Sequence, residues 1–222
     1  MKQDDSDLSA AITRVSNALG RTAPAAAAPV PPTIPEPLVR LVHSDFGLGG
    51  LFVRMARQNG VDAEGVYVGD LVARVVDFIK SAGCKAVAHA VSPLLDRLGI
   101  PQALKDAGLL VRPWDTIQPD EMYDIDCGLT DAWSAVAETG SIVIKPSANH
   151  GRMLSLVPPL HVAIIEPKII VGDLVDLLEK LKTDNTASGT ILITGPSKTA
   201  DIEMTLVVGV HGPKTVKAIV IQ

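Results

Sequence analysis

The chain has 222 residues, enough for one ordinary domain plus a tail and short for two. Its 20 Lys and Arg stand against 25 Asp and Glu, for a net charge of −5, and only two Trp, two Tyr and three Phe are present. That balance argues against a phosphate-tracking nucleic-acid binder and against a base-stacking platform. Two cysteines, Cys84 and Cys127, provide neither a disulfide framework nor a four-thiolate metal or iron–sulfur site.

The N-terminus, Met1-Lys2-Gln3-Asp4-Asp5, lacks the basic and apolar regions of a secretory signal, and the expected address is the cytoplasm. Leu8, Ile12, Val15 and Leu19 recur at helical spacing before Gly20, so residues 1–20 are expected to hold an amphipathic helix. Six prolines and an alanine run make residues 21–37 an extended linker, read either as a spacer or as a docking arm. From residue 38 to 222, short β-branched runs alternate with helical patterns, the mark of βαβ units around a mostly parallel sheet. The spacing predicts strands at Gly65–Val68, Ala86–Ala90, Leu109–Arg112, Asp124–Gly128, Ser141–Ile144, His161–Glu166, Thr190–Thr194 and Val216–Ile221. Helices are predicted at Gly50–Gln58, Leu71–Ser81, Ser92–Leu98, Pro101–Ala107, Ala132–Glu138 and Asp173–Lys182. The Gly47–Gly50 run matches neither dinucleotide nor Walker spacing and is taken as a turn.

In an open α/β sheet, ligands sit beyond the carboxyl ends of the strands, so the loops there are expected to carry the chemistry. In one such segment Thr130 or Asp131 caps the predicted helix Ala132–Glu138, which ends on Glu138 against its own macrodipole. Thr139, Gly140 and Ser141 beside it form either a hydrogen-bonded turn or a polar binding site that orients Glu138 as acid or base. A second segment, Gly195-Pro196-Ser197-Lys198-Thr199-Ala200-Asp201-Ile202-Glu203, is either an anion cradle or a plain helix start with Ser197 or Thr199 as cap. In a third, His211 between Gly209 and Pro213 is either a proton shuttle or a structural loop histidine. The five histidines, His43, His89, His150, His161 and His211, show no paired metal-ligand spacing, and the acidic cluster Asp120, Glu121, Asp124 and Asp126 is expected to be a solvated loop.

Three linked stretches occur in one order: Gly128-Leu129-Thr130 through Glu138-Thr139-Gly140-Ser141, then Met153–His161, then Gly195–Glu203 followed by Gly209–Pro213. Together they resemble the LUD domain of the lactate utilization protein C family. The resemblance implies a Rossmann-like three-layer α/β fold with a mostly parallel sheet. CoA transferases, ribose-5-phosphate isomerase, glucosamine-6-phosphate deaminase and 5-formyltetrahydrofolate cyclo-ligase belong to the same superfamily. It further implies a part in oxidising L-lactate to pyruvate beside iron–sulfur partners, lactate utilization proteins A and B, with no cofactor in this chain itself.

Under that resemblance Glu138 and His211 are candidate proton-transfer residues. Thr130, Thr139, Gly140, Ser141, Arg152, Gly195, Ser197, Lys198, Thr199, Asp201 and Glu203 are candidate ligand contacts. Two other readings stay open: a stand-alone enzyme of the CoA-transferase or folate cyclo-ligase kind, with Glu138 as nucleophile, and a non-catalytic assembly protein docked through the Pro-rich arm.

Overall fold

A computed structural model describes residues 4–20, 42, 47–183, 189–200, 206–209 and 212–222. Met1–Pro35 and Glu36–Gln222 are separate compact units. In the first, helix α1 (Asp4–Ala18) leaves Ile12 and Val15 of its apolar stripe exposed, as is Leu19 beyond its end. The expected linker, 21–37, lies outside the described residues.

The second unit runs α2 (Leu48–Gln58), β1 (Asp62–Val66), α3 (Val68–Ser81), β2 (Ala86–His89), α4 (Pro93–Arg97), α5 (Ile100–Asp106) and β3 (Leu110–Pro113). It continues with β4 (Cys127–Asp131), β5 (Ser134–Val136), β6 (Ser141–Ile144), α6 (Met153–Leu156), β7 (Leu160–Ile165), β8 (Ile170–Val171) and α7 (Leu174–Lys182). Last come β9 (Ile191–Ile193), β10 (Lys198–Ala200), β11 (Leu206–Val208) and β12 (Thr215–Ile221). The amphipathic periods that predict the helices are the ones that bury: Leu71, Val75 and Ile79 of α3, one turn apart, are all sealed from solvent.

Six strands form one all-parallel sheet in the order β1-β12-β7-β4-β2-β3. Every residue of β7 is buried, as a central parallel strand covered on both faces requires. Side-chain alternation divides the core in two. One face packs Leu129, Val162, Ile164 and Ile219 against α3, α4 and α5. The other packs Ala63, Ala163, Ala218 and Val220 against Phe52 and Ala56 of α2 and against a second sheet, β8-β5-β6-β9. Helix α7 backs that second sheet through Leu177. The predicted mixed α/β fold with a parallel central sheet flanked by helices is what the structure contains.

Several elements differ from expectation, among them β1, which runs Asp62–Val66 and not Gly65–Val68, so that Val68 opens α3. The segment predicted as helix Ala132–Glu138 is strand β5 and a turn, with Ala135 paired to both Ile142 and Ile170. Ser134, Ala135 and Val136 are all buried, and a segment covered on both faces carries no period that separates helix from strand. Strand β4 also starts three residues later than the predicted Asp124, which places Thr130 and Asp131 inside a strand and not at a helix cap. The acidic stretch before it is a 3₁₀ turn, Pro119–Asp124, closed by a Gln118–Glu121 capping box. Asp126 accepts the backbone N–H groups of Lys85 and Ala86 at 2.7 and 2.9 Å.

Candidate functional site

The register of β4 and β7 sets Gly128 opposite His161, and Thr130 lies one pleat further on the same face. The Thr130 hydroxyl meets His161 Nε2 at 2.9 Å, and both side chains are fully buried. Burial pushes the His161 imidazole down to about 3, and the neighbouring His150 adds to the shift. His150 is also held low by burial, against the opposing pull of Asp131. Each ring keeps one buried nitrogen, His161 Nδ1 and His150 Nε2, with no hydrogen-bond partner among the described residues. Buried polar atoms in this condition are uncommon and costly, about 1–3 kcal/mol each.

The His150 loop is fixed from several sides. His150 bonds reciprocally with Ser147, the Asn149 carbonyl accepts from Val91 just beyond β2, and Gly151 lies against Trp114. Helix α6 follows, its Leu154 carbonyl resting on Gly128 so closely that no side chain fits there. Arg152, a predicted ligand contact, precedes α6 and is exposed.

The pH dependence of folding reports on His161. The unfolded chain binds a proton there below about 6.5 while the folded chain does not until about 3, so stability falls as pH drops through that window. Acidification from about pH 7 to about pH 4 is expected to remove about 3 kcal/mol through this group alone. The His161→Gln variant, compared with the parent by urea unfolding at both pH values, should lack that part of the acid limb.

The other motif segments meet along a row of hydroxyls. Thr139 Oγ1 and Ser141 Oγ are 2.7 Å apart, and Ser141 Oγ and Thr194 Oγ1 are 2.8 Å apart. Three hydroxyls own three protons and two bonds use two of them, so one O–H of the row is left over to donate to another group. Asn59, at the end of α2, donates to the Thr139 carbonyl, and its own carbonyl lies against Gly195. Gly140 turns the chain at φ +63°, pressed onto the α2 backbone at Ala56. Ser197 donates its N–H to the Pro213 carbonyl and accepts from the Gly209 N–H, while Gly212 sits against both Ser197 and the Leu156 carbonyl. The contacts thus run from Ser141 through Thr194, Ser197 and Gly212 to α6, and from α6 to Gly128 beside His161.

Several expectations are corrected here. Ser197 follows the carboxyl end of β9, as expected, but β9 belongs to the second sheet, and the bond to Pro213 seats Ser197 at the amino end of β12 in the central sheet, where the Lys214 N–H bonds the Pro159 carbonyl just ahead of β7. Lys198 and Thr199 begin strand β10, so neither Ser197 nor Thr199 caps a helix. Glu138, half-buried, ends no helix; its N–H bonds the Gly172 carbonyl in the β5–β6 turn. Thr130 serves His161 rather than a helix end. Asp201, Glu203 and His211 lie outside the described residues.

Sequence reasoning passes over His150 and His161 because it seeks paired metal-ligand spacing. Their signal is His161 itself, the one polar residue in the otherwise apolar run Leu160–Ile165. It also passes over a cleft of about 470 Å³ at the carboxyl ends of β2 and β3, lined by His89, Asp96, Gln102, Lys105 and Asp115. His89 Nδ1 lies 2.9 Å from the Ala90 carbonyl, which only accepts, so a neutral His89 carries its proton there. Among the described residues no group of three or more His, Cys, Asp or Glu side chains is arranged to hold a metal ion, and no helix is long and apolar enough to cross a membrane.

Residues 50–221 match the LUD domain family. An uncharacterized protein from Neisseria meningitidis serogroup B is 32% identical over 145 residues, 62% of each chain. Lactate utilization protein C from an Exiguobacterium species is 36% identical over 118 residues, 49% of this chain and 51% of that one. The protein of the same name from Halalkalibacterium halodurans is 29% identical over 190 residues, 81% of each. The matches to the first two thus span about half to three-fifths of those relatives' length. A crystal structure of a DUF162 family protein from Deinococcus radiodurans superposes with a TM-score of 0.59 at 22% identity, covering 81% of this chain and 99% of that one, and so shares the fold. With the family match extending over most of its length, the chain belongs to the LUD domain family.

Proposed function

We propose that this chain is a subunit of a lactate utilization system, in which L-lactate loses two electrons and two protons to become pyruvate. Iron–sulfur partners, lactate utilization proteins A and B, accept the electrons, and this chain supplies a crevice for a small carboxylate. The names of the relatives support the first part. The observation that carries the second is the convergence of motif segments, distant in sequence, on the Thr139–Ser141–Thr194 hydroxyl row and on buried His161.

In this reading the spare O–H of the row and the cations Lys198 and Arg152 hold the carboxylate, and Glu138 or His211 takes the hydroxyl proton. The test is lactate-dependent dye reduction by the two partners with and without the chain. Activity is expected to require it, and the Ser141→Ala and Thr194→Val variants should lower turnover roughly 10–100-fold, the worth of a hydrogen bond to a charged group. Full-rate dye reduction by the partners alone would overturn the proposal.

A further inference from the structure

We propose that His161 and His150 together bind the carboxyl group of a small acid, and that the anion arrives with one proton. The inference rests on reading the motif convergence as a small-carboxylate site; it moves the carboxyl group's contacts from the hydroxyl row and the exposed cations to the buried rings and adds the proton stoichiometry.

Two buried ring nitrogens lack partners, on side chains that the backbone sets in one neighbourhood: Ala90 bonds Leu129 and Val91 bonds Asn149, which puts the His150 loop beside β4, where Thr130 holds His161. A neutral imidazole has one N–H donor and one lone pair, so each partnerless nitrogen is one or the other. For His161 the choice follows the Thr130 contact: if the hydroxyl donates to Nε2, Nδ1 carries the proton, and if Nε2 donates, Nδ1 is the acceptor. A carboxyl group with its proton offers an acceptor and a donor from oxygens on one carbon, which complements such a pair in every arrangement that leaves one nitrogen of each kind.

Electrostatics fixes the stoichiometry. Burial disfavours a charge on either ring, with His150 adding to the effect at His161, and a bare anion placed between uncharged rings is unfavourable. One proton taken up with the anion removes both penalties, whether it rests on an oxygen or on a ring. The surrounding charges allow this. From β4, Asp131 faces His150 and favours a proton there. Arg152, on the same loop as His150, is exposed. On β12 the residue opposite His161 is apolar Val216, and the adjacent Lys217 points to the other face of the sheet, held by Asp62 and Glu64.

The test is calorimetric titration of the full 222-residue chain with sodium acetate and, separately, with acetamide, which carries a donor and an acceptor but does not titrate. Between about pH 5.5 and about pH 7.5 the acetate Kd is expected to rise roughly tenfold per pH unit, while the acetamide Kd stays constant. Heats measured in buffers of differing ionisation enthalpy should report one proton taken up per acetate. The His161→Gln variant should weaken acetate at least tenfold and abolish the proton uptake. His150→Gln, further from the sheet core, should do the same and provides the check if the first variant fails to fold. Acetate binding without pH dependence, affinity unchanged in both variants, or no binding of either probe would overturn the inference and leave the pair to ordered water. Dye reduction by the reconstituted system is read separately. A required chain that takes up no proton sinks only this inference, and proton-linked acetate binding by a dispensable chain sinks only the lactate reading.

Discussion

Replacing Gly128 with Ala is expected to destabilise the fold by about 3 kcal/mol or more. A methyl group there would fall on the Leu154 carbonyl, and backbone, unlike the end of a flexible side chain, has no rotamer into which to retreat. Either α6 lifts from β4 or β4 bends, and in both cases the cover over His161 loosens. Two measurements should therefore move together in G128A: a lower urea midpoint at neutral pH, and a shallower acid limb, because a hydrated His161 regains its ordinary affinity for protons. Gly50→Ala is the control. It lies in α2 with open space around it, and it should be neutral or stabilise by up to about 1 kcal/mol through helix propensity.

The second large effect is expected at Lys217. Its side chain is 1% exposed, with Nζ 3.0 Å from Asp62 and 4.7 Å above the Phe78 ring, and it is ion-paired to Glu64 at 2.6 Å. Removing both carboxylates in the D62N/E64Q double variant leaves a buried ammonium with little besides the ring, and should cost about 3–5 kcal/mol at neutral pH. Asp62→Asn alone should cost little, because that side chain is 53% exposed. Lys217→Met should stay within about 1 kcal/mol of the parent, since the ion pair and its desolvation penalty disappear together. The pH sign is separable. Burial works to raise the Glu64 carboxyl, but hydrogen bonds from Arg74 and Lys217 outweigh it and hold the group below 4.5. Its stabilisation is therefore complete above 4.5 and is lost as pH falls through the lowered value, a window below most of the one governed by His161. Chemical unfolding at several pH values distinguishes the two groups.

How far the sequence could be read depended on whether a segment shows solvent to one side. Helix α3 is legible because Leu71, Val75 and Ile79 alternate with exposed positions. Strands β7 and β12 are legible as short runs rich in branched residues, and β2 as a short run of alanine and valine. Segment 132–138 is not, because it lies between the central sheet and α7 and is buried on both faces. The site divides in the same manner. Motif order pointed to Thr139, Ser141 and Ser197, and the structure joins these segments through Thr194, Asn59 and Gly212. Which end of the central sheet the Ser197 segment meets depends on topology, because its own strand β9 lies in the second sheet. His161 reads in the sequence only as one of five histidines and as the end of a motif stretch, because the depth of a residue belongs to the fold and no spacing rule encodes it.

The placement of β12 bears on how this chain is made. Strand β1 has β12 as its sole neighbour in the central sheet, and Asp62 meets Lys217 across 155 positions of sequence. At ribosomal speeds of about 5–20 residues per second, β1 emerges roughly 10–30 s before its partner exists. Through that interval both hydrogen-bonding edges of β1 lack a sheet partner, and once β7 has been made the edge that β12 will cover is open as well, each a template for pairing with other nascent chains. Truncation before β12 should accordingly yield aggregates rather than a smaller soluble fold, and the requirement for a chaperone should be greatest in that last interval of synthesis.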